Sequence, residues 1–451
     1  MHPMLFRALL RLKNLHQGDI MARWRRIEGQ QWLSRDELEE MAWQKRRALV
    51  AHAFANCPFY RRKYQEAGFQ PGDLKTPEDF GRLPLLLKQE VREHIAEMVA
   101  SGVEPARLEK KFTGGSTGIP LMVYHDRRAT PLHTPLHLRT VRAWGLDSGE
   151  KTAHIWGLNP LNQEYLHQKL SRWDLFRTNY ALLNAFTMDQ DNLASFAALL
   201  RRFRPGLVIS YTSAMESFAR YLEQNGGAGF RPRAIWLTSE PIHDFQKALI
   251  ERVLQTPVYN QYGSVEVFFM AAECGLRQGL HVNLDFRYLE IVDEEDRPLP
   301  PGQIGRVVVT DLANQAAPLI RYRNEDMSSL RPGACPCGRG LPLMNEITGR
   351  IYDMFILPDG SQVYGHRFTT FFYDHVDKVK GFQVHQTHRD RAVVSIVPGE
   401  GLRQDELSAR LLEAFRGYTG GQMSFEVRYV QEIAKEASGK FRFAKSDVRV
   451  D

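Results

Sequence analysis

The stretch Lys111-Phe112-Thr113-Gly114-Gly115-Ser116-Thr117-Gly118-Ile119-Pro120 concentrates glycine and hydroxyl residues in a way that suits an anion. Glycines at 114, 115 and 118 let the backbone turn tightly and bring N–H groups to one centre, and Thr113, Ser116 and Thr117 add hydroxyl donors. Phosphate oxygens fit such a nest. The spacing is not that of the Gly-x4-Gly-Lys-Ser/Thr loop, so the nucleotide fold that goes with that loop is not implied. Standing alone, the stretch is also compatible with an ordinary Gly/Ser loop.

A second group of chemistry-bearing residues is Cys274, His281, Cys335 and Cys337, which holds three of the four cysteines. Three thiolates and one imidazole make a closed tetrahedral shell for a structural Zn2+, with no open position for catalysis. Unpaired buried cysteines and a disulfide are the other readings. Cys57, in Asn56-Cys57-Pro58-Phe59, stands apart and reads as a small buried residue.

The glycine loop is followed by Ser239-Glu240-Pro241, then Tyr259-Asn260-Gln261-Tyr262-Gly263-Ser264-Val265-Glu266. Further on come Arg321-Tyr322-Arg323-Asn324-Glu325-Asp326, Thr348-Gly349-Arg350-Ile351-Tyr352-Asp353 and Ser438-Gly439-Lys440-Phe441-Arg442. In this order the set resembles the adenylate-forming superfamily, and more narrowly its phenylacetate–CoA ligase-like, capsule-biosynthesis-type branch. The resemblance covers nearly the whole chain, including Asn56–Tyr60 and Leu83–Lys88. It implies an α/β fold: a large amino-terminal adenylate-forming domain with sheets flanked by helices, and a small mobile α+β carboxy-terminal domain.

The implied activity is an AMP-forming acid ligase. ATP and Mg2+ activate a carboxylic acid as acyl-AMP, and the acyl group then passes to coenzyme A, a carrier-protein thiol or an amine. A carboxylate is a poor nucleophile toward an anion that repels it, so the site must neutralise charge and position the reactants. By the resemblance, Thr113, Gly114, Gly115, Ser116, Thr117 and Gly118 form the phosphate loop, and Glu266 is the magnesium ligand, a hard oxygen donor. Asp326 accepts from the ribose hydroxyls, Arg350 also contacts the ribose, and Ser239, Glu240 and Pro241 pass along the adenine. Tyr262, with Gly263 beside it, stacks on the base. Lys440 reaches the reacting carboxylate and phosphate as a point charge with three donors. Asp353 takes the hinge position. Branch members also look similar at the Cys/His group, which favours zinc there. An aromatic acid is favoured by the resemblance alone, with Trp156, Tyr211 and Trp236, aromatic residues at strand ends, as candidate pocket walls.

Two positions depart from the family pattern. Val265 stands where a Thr or Ser hydroxyl precedes the magnesium ligand, and Asn324-Glu325 replaces Thr-Gly before the ribose aspartate. They leave open an alternative: a catalytically degenerate nucleotide-binding partner or scaffold of the same fold.

The elements that must carry these residues can be read from local pattern. Residues 1–100 read as helical, with a helix start at Ser34-Arg35-Asp36-Glu37. From about 110 to 330, short apolar runs at 153–156, 206–211, 234–238 and 258–262 alternate with helical patterns at 191–203 and 214–225, the mark of a substantially parallel sheet. Arg287–Val292 and Gly305–Thr310 read as two strands joined by a solvated acidic turn. Residues 351–451 form a smaller α+β unit, with strands near 392–397 and 425–430 and a helix at 404–416; residues 1–350 form the large one.

Over 451 residues the chain carries 59 Lys and Arg against 53 Asp and Glu, a net charge of +6 too diffuse for a nucleic-acid surface. No apolar run approaches a membrane span, and the first residues lack the pattern of a signal peptide. The expectation is a cytoplasmic protein with no nucleic-acid partner and no integral membrane association; a homodimer is compatible with the sequence.

Overall fold

The computed structural model describes residues 20–112, 121–126, 132–157, 179–185, 188–350, 354–375, 378–434 and 441–448. The chain divides into two compact units. The first begins with helices α1 (Ile20–Gln30) and α2 (Arg35–Asn56). A capping box starts α2: Ser34 accepts from the Glu37 backbone N–H at 3.2 Å and Glu37 accepts from that of Ser34 at 2.8 Å. The antiparallel strands β1 (Glu109–Phe112) and β2 (Met122–His125) follow, then helix α3 (His133–Ala143).

The main sheet is built from β3 (Thr152–Trp156), β4 (Tyr180–Asn184), β5 (Leu207–Tyr211), β6 (Ala234–Thr238) and β7 (Val258–Tyr262), joined in parallel in the order β4-β3-β5-β6-β7. All five residues of β5 and of β6 are buried, as expected of parallel strands covered on both faces. On one face lie helices α4 (Gln190–Phe203) and α5 (Thr212–Gln224). The Asp189 carboxylate caps α4 by accepting from the Asn192 N–H at 2.9 Å, and Leu193, Phe196, Ala197 and Leu200 form its buried stripe. The other face packs against α3 and Trp144.

Beyond β7 the sheet turns antiparallel through β8 (Ala271–Glu273) and β9 (Leu280–Val282). The antiparallel hairpin of β10 (Arg287–Val292) and β11 (Gly305–Asp311) begins a second sheet, joined by β12 (Tyr322–Ser328). Two short strands, β13 (Leu330–Arg331) and β14 (Leu343–Met344), return to the main sheet, where β14 pairs with β9. The acidic turn after β10 is a self-contained one: the Asp293 carboxylate accepts from the backbone N–H groups of Glu295 and Arg297 at 3.0 and 2.8 Å.

The second unit gathers residues 347–451 with Glu325–Met327 and His243–Ala248. Here β15 (Gly349–Arg350) pairs with β12, placing Arg350 opposite Asp326. A hairpin of β16 (Met354–Ile356) and β17 (Gln362–Tyr364) precedes a four-stranded sheet of β18 (Val379–His388), β19 (Arg391–Pro398), β20 (Ser424–Tyr429) and β21 (Ala444–Ser446), in the order β20-β19-β18-β21. Helix α6 (Gln404–Tyr418) buries Leu407, Leu411 and Phe415 in a core with Phe355, Phe368, Phe372 and Phe382.

In the first unit α3 is held by a buried ion pair. The Arg139 guanidinium meets both carboxylate oxygens of Asp285, at 2.7 and 3.0 Å, with the two side chains 3% and 0% exposed. It also donates to the Ile27 carbonyl at 3.1 Å and to the Asn283 side-chain oxygen at 2.6 Å. Removing one member strands the other charge away from water. Asp285→Ala should therefore lower the unfolding free energy by about 3–5 kcal/mol, read as a drop in the denaturant midpoint; a shift near zero would show that α3 is held by packing alone.

Candidate active site and metal-ligand cluster

Parallel sheets offer ligands the crevice beyond the carboxyl ends of their strands. In the first unit those ends are Trp156, Tyr211, Thr238 and Tyr262, and two of the segments singled out in the sequence leave the sheet there. Ser239-Glu240-Pro241 follows β6 and Gly263–Glu266 follows β7, its neighbour, with Thr238 registered against Gln261. The Thr238 hydroxyl donates to the Gln261 side-chain oxygen at 2.9 Å, tying the two exits together.

Ser239 has φ of 72°, in the left-handed region that few side chains adopt, so the chain bends sharply as it leaves β6. The Glu240 carboxylate turns back to the start of α5, accepting from the Ser213 N–H at 2.7 Å and the Ser213 hydroxyl at 3.0 Å. It caps a helix amino terminus, where negative charge is favoured.

After β7, Gly263 has no room for a side chain: a Cβ there would lie 2.8 Å from the Gln261 amide nitrogen and 3.1 Å from the Phe269 backbone nitrogen. The next residues form a tight turn, in which Ser264 N–H donates to the Val267 carbonyl at 3.0 Å and the Ser264 hydroxyl accepts from Val267 N–H at 3.1 Å. His125, on β2, lies with Nε2 2.9 Å from the Val265 carbonyl. Burial pushes His125 below its ordinary pKa, against the raising influence of Asp311 and of that carbonyl. The buried Glu266 carboxylate accepts from the Tyr322 hydroxyl at 3.1 Å, and the Asn324 amide donates to the Tyr262 hydroxyl.

Thus the structure brings Tyr262, Gly263 and Glu266 together with the β12 residues Tyr322 and Asn324, beside Ser239–Pro241. Asp326 is buried on β12 in the second unit, opposite the backbone of Arg350. Thr113–Gly118, Asp353 and Lys440 lie outside the described residues, as does the side chain of Arg350. His125, Tyr322 and Asn324 were not singled out from sequence for these contacts. His125 carried a usable signal, since it ends the strand returning from the glycine loop.

A second cluster in the first unit joins Cys274, just past β8, His281 on β9, and Cys335 and Cys337 in the connection between β13 and β14. The pairing of Leu343 with His281 brings that connection over β9. One ligand atom from each of the four lies within 4.8 Å of all the others. The Cys274 and Cys335 sulfurs are 3.8 Å apart, and Cys337 Sγ is 3.4 Å from His281 Nε2. All four cysteines are free thiols, and Cys57 is fully buried. Burial pushes the Cys335 thiol up to about 12 and the His281 imidazole down to about 4. The connection is wedged against the end of α1: Gly340 N–H donates to the Gln31 carbonyl at 3.1 Å, and the Arg339 guanidinium lies 4.6 Å from the Trp32 ring.

Comparison with known proteins agrees with this architecture. Residues 355–447 match the family model of the CapK C-terminal domain. The phenylacetate-coenzyme A ligase of Escherichia coli K12 is 29% identical over 334 residues, spanning 71% of this chain and 73% of that protein. Protein CapK of Staphylococcus aureus is 23% identical over 427 residues, spanning 92% and 90%. Among solved structures, a 2-hydroxyisobutyryl-CoA ligase in the postadenylation state aligns with a TM-score of 0.77 at 21% identity, over 93% of this chain and 91% of that one. The fold is that of the adenylate-forming ligases. Over most of its length the chain is similar to the phenylacetate-coenzyme A ligases and to protein CapK, and its carboxy-terminal part matches the CapK family model. Among the described residues no helix is long and apolar enough to cross a membrane.

The Tyr322–Glu266 contact has a direct check. In a double-mutant cycle of Tyr322→Phe and Glu266→Ala, read by denaturant unfolding, the coupling should be about 1–2 kcal/mol; zero coupling would mean that the hydroxyl does not hold the carboxylate.

Proposed function

We propose that this protein activates a carboxylic acid with ATP and passes the acyl group to the thiol of coenzyme A. In the first step an acid oxygen bonds to the α-phosphorus as the bond to pyrophosphate breaks. In the second, sulfur attacks the acyl carbon and AMP leaves. The observation that carries this reading is the convergence of Ser239–Pro241, Tyr262–Gly263 and a buried Glu266 at the carboxyl ends of adjacent parallel strands. The similarity to phenylacetate-coenzyme A ligases over more than two thirds of the chain supports the same chemistry. A carrier-protein thiol or an amine remains an alternative acceptor.

In this reading Thr113–Gly118 cradles phosphate oxygens, and Ser239, Glu240, Pro241, Tyr262 and Gly263 surround the base. Because the Glu240 carboxylate already caps α5, that segment would face the adenine mainly through its backbone. Asp326 accepts from the ribose hydroxyls beside Arg350. Glu266 would hold Mg2+, which screens the triphosphate charge. Lys440 contacts the reacting carboxylate and phosphate, and residues 351–451 form the mobile domain, hinged at Asp353.

The departures from the family pattern are milder in structure than in sequence. Glu325 has φ of 70°, the backbone conformation that a glycine would adopt freely, so the bend before Asp326 is kept at a cost of about 1–2 kcal/mol. Val265 engages His125 through its carbonyl, which any residue supplies. The missing hydroxyl still supports a second reading, a nucleotide-binding protein of this fold without catalysis.

Structural Zn2+ is the proposed occupant of the Cys274/His281/Cys335/Cys337 cluster. A zinc tetrahedron with sulfur about 2.3 Å from the metal sets its sulfurs about 3.8 Å apart, which is the separation of Cys274 from Cys335. Free thiols favour a reducing, cytoplasmic setting.

Acid-dependent exchange of labelled pyrophosphate into ATP, across a panel of acids, tests the activity. Lys440→Ala should cut that exchange at least about 100-fold while ATP affinity changes less than about threefold. Adenylation surviving at the wild-type rate removes Lys440 from the mechanism, and ATP binding with no exchange for any acid selects the non-catalytic reading. Independently, Cys335→Ser should lower the zinc content of the purified protein from about one equivalent toward zero and reduce its melting temperature; unchanged metal content would remove the site.

A further inference from the structure

One pair of polar side chains near the carboxyl half of the main sheet is not used by anything described so far. Trp236 was expected at a strand end; it sits instead at the centre of β6, on the face covered by α3. The register places it in a row with His154, Ile209 and Tyr259, and two residues further toward the carboxyl ends Tyr211 is paired with Thr238. The Trp156 and Tyr211 rings lie 4.3 Å apart there. Trp236 is only 4% exposed, yet its indole N–H finds no acceptor among the described residues. An unmet buried donor is costly, so a native structure that keeps one is presumed to satisfy it with something else.

The ring of His137, on α3, stacks on Trp236 with centroids 5.2 Å apart and planes 28° from parallel. His137 is half-buried and makes no hydrogen bond among the described residues, so it is the side of this pair open to a ligand. Burial pushes His137 down to about 4 and His154 to about 3, so both imidazoles are neutral and neither serves as a countercharge. The guanidinium nearest along α3, that of Arg139, is committed to Asp285. Among the described residues the surroundings are therefore aromatic and uncharged: Trp236 gives a donor, and a neutral imidazole gives one donor and one acceptor. Phe269, 5.8 Å from Trp236, adds a further ring.

We infer that the acid activated by this protein is an aromatic monocarboxylic acid bearing a hydroxyl group, which accepts from the Trp236 indole and donates to the His137 imidazole. The inference rests on the acid-activation reading above and names its substrate class. A hydroxyl answers a lone donor and a neutral imidazole at once, accepting from the one and donating to the other. A second carboxylate or an ammonium group would be desolvated there without a countercharge among the described residues. Sites built to meet a substrate hydroxyl discriminate strongly against the analogue lacking it.

The test compares kcat/KM in pyrophosphate exchange for phenylacetate, 3-hydroxyphenylacetate and 4-hydroxyphenylacetate, with 2-hydroxyisobutyrate as an aliphatic reference, using the full chain. One hydroxylated aryl acid should exceed phenylacetate by about tenfold or more. Trp236→Phe and His137→Phe, which keep a ring in place, should each bring that ratio to within about threefold, and His137→Gln, which retains a donor and an acceptor, should restore part of it. Exchange without preference for a hydroxylated acid, preference for the aliphatic acid, or a ratio unmoved by both ring variants overturns this inference and leaves acid activation standing. Absence of exchange with every acid overturns both.

Discussion

The Arg139–Asp285 ion pair is the constraint on which the arrangement of the first unit turns. Two full charges this deeply buried are tolerated only when paired and hydrogen-bonded throughout, and here the bidentate contact is completed by the Ile27 carbonyl and the Asn283 amide. Those partners come from α1, from α3 and from the segment between β9 and β10. The network therefore has a single acceptable geometry, in contrast to an apolar contact of similar area, which could slide. With α3 locked on that side, its opposite face is held over the sheet, and Trp144 just past it stacks on Tyr259 at 4.8 Å. The placement of His137 above Trp236 follows from the same lock.

The carboxyl edge of the sheet shows a related economy. The Glu240 carboxylate is committed to the backbone that shapes the crevice. Glu240 caps α5, and the turn carrying Glu266 is closed by Ser264 and propped by His125 through a carbonyl. Helix caps and turn closures are short-range and rigid, which is what a site must be if it is to place a triphosphate and a carboxylate at reacting distance. The positive φ of Ser239 and Glu325 belongs to the same pattern, since bends of that kind persist only where the surroundings over-determine them.

Much of this was legible in the sequence. The runs at 234–238 and 258–262 are strands with those limits, the pattern at 191–203 is the helix Gln190–Phe203, and 404–416 opens the helix Gln404–Tyr418. Such segments carry their own periodicity or a continuous apolar run, both local properties. The antiparallel extension through β8, β9, β13 and β14 was not legible, because strands of two or three residues have no period to read. Cys274, His281, Cys335 and Cys337 could be grouped by residue type, but only the β9–β14 pairing shows how residues so far apart in sequence meet. Tyr322 on Glu266, Asn324 on Tyr262 and His125 on Val265 are contacts across long stretches of chain, and no spacing rule announces them. The misplacement of Trp236 has the same origin: a strand can be recognised without knowing which of its residues faces the covering helix.

The two positions that depart from the expected pattern, 265 and 325, show how neighbours can hold a local backbone geometry. At 325 the backbone adopts a left-handed bend although the residue is glutamate, so the constraint lies in the path of β12. That path is set from both sides of the bend, by Asn324 bonded to Tyr262 before it and by the pairing of Asp326 with Arg350 after it. A side chain forced into an unfavourable φ by flanking contacts reports that those contacts outweigh about 1–2 kcal/mol of strain. At 265 the useful group is a main-chain carbonyl, indifferent to what the side chain is. In both places the geometry is enforced by neighbours, so neither position depends on the particular side chain that stands there.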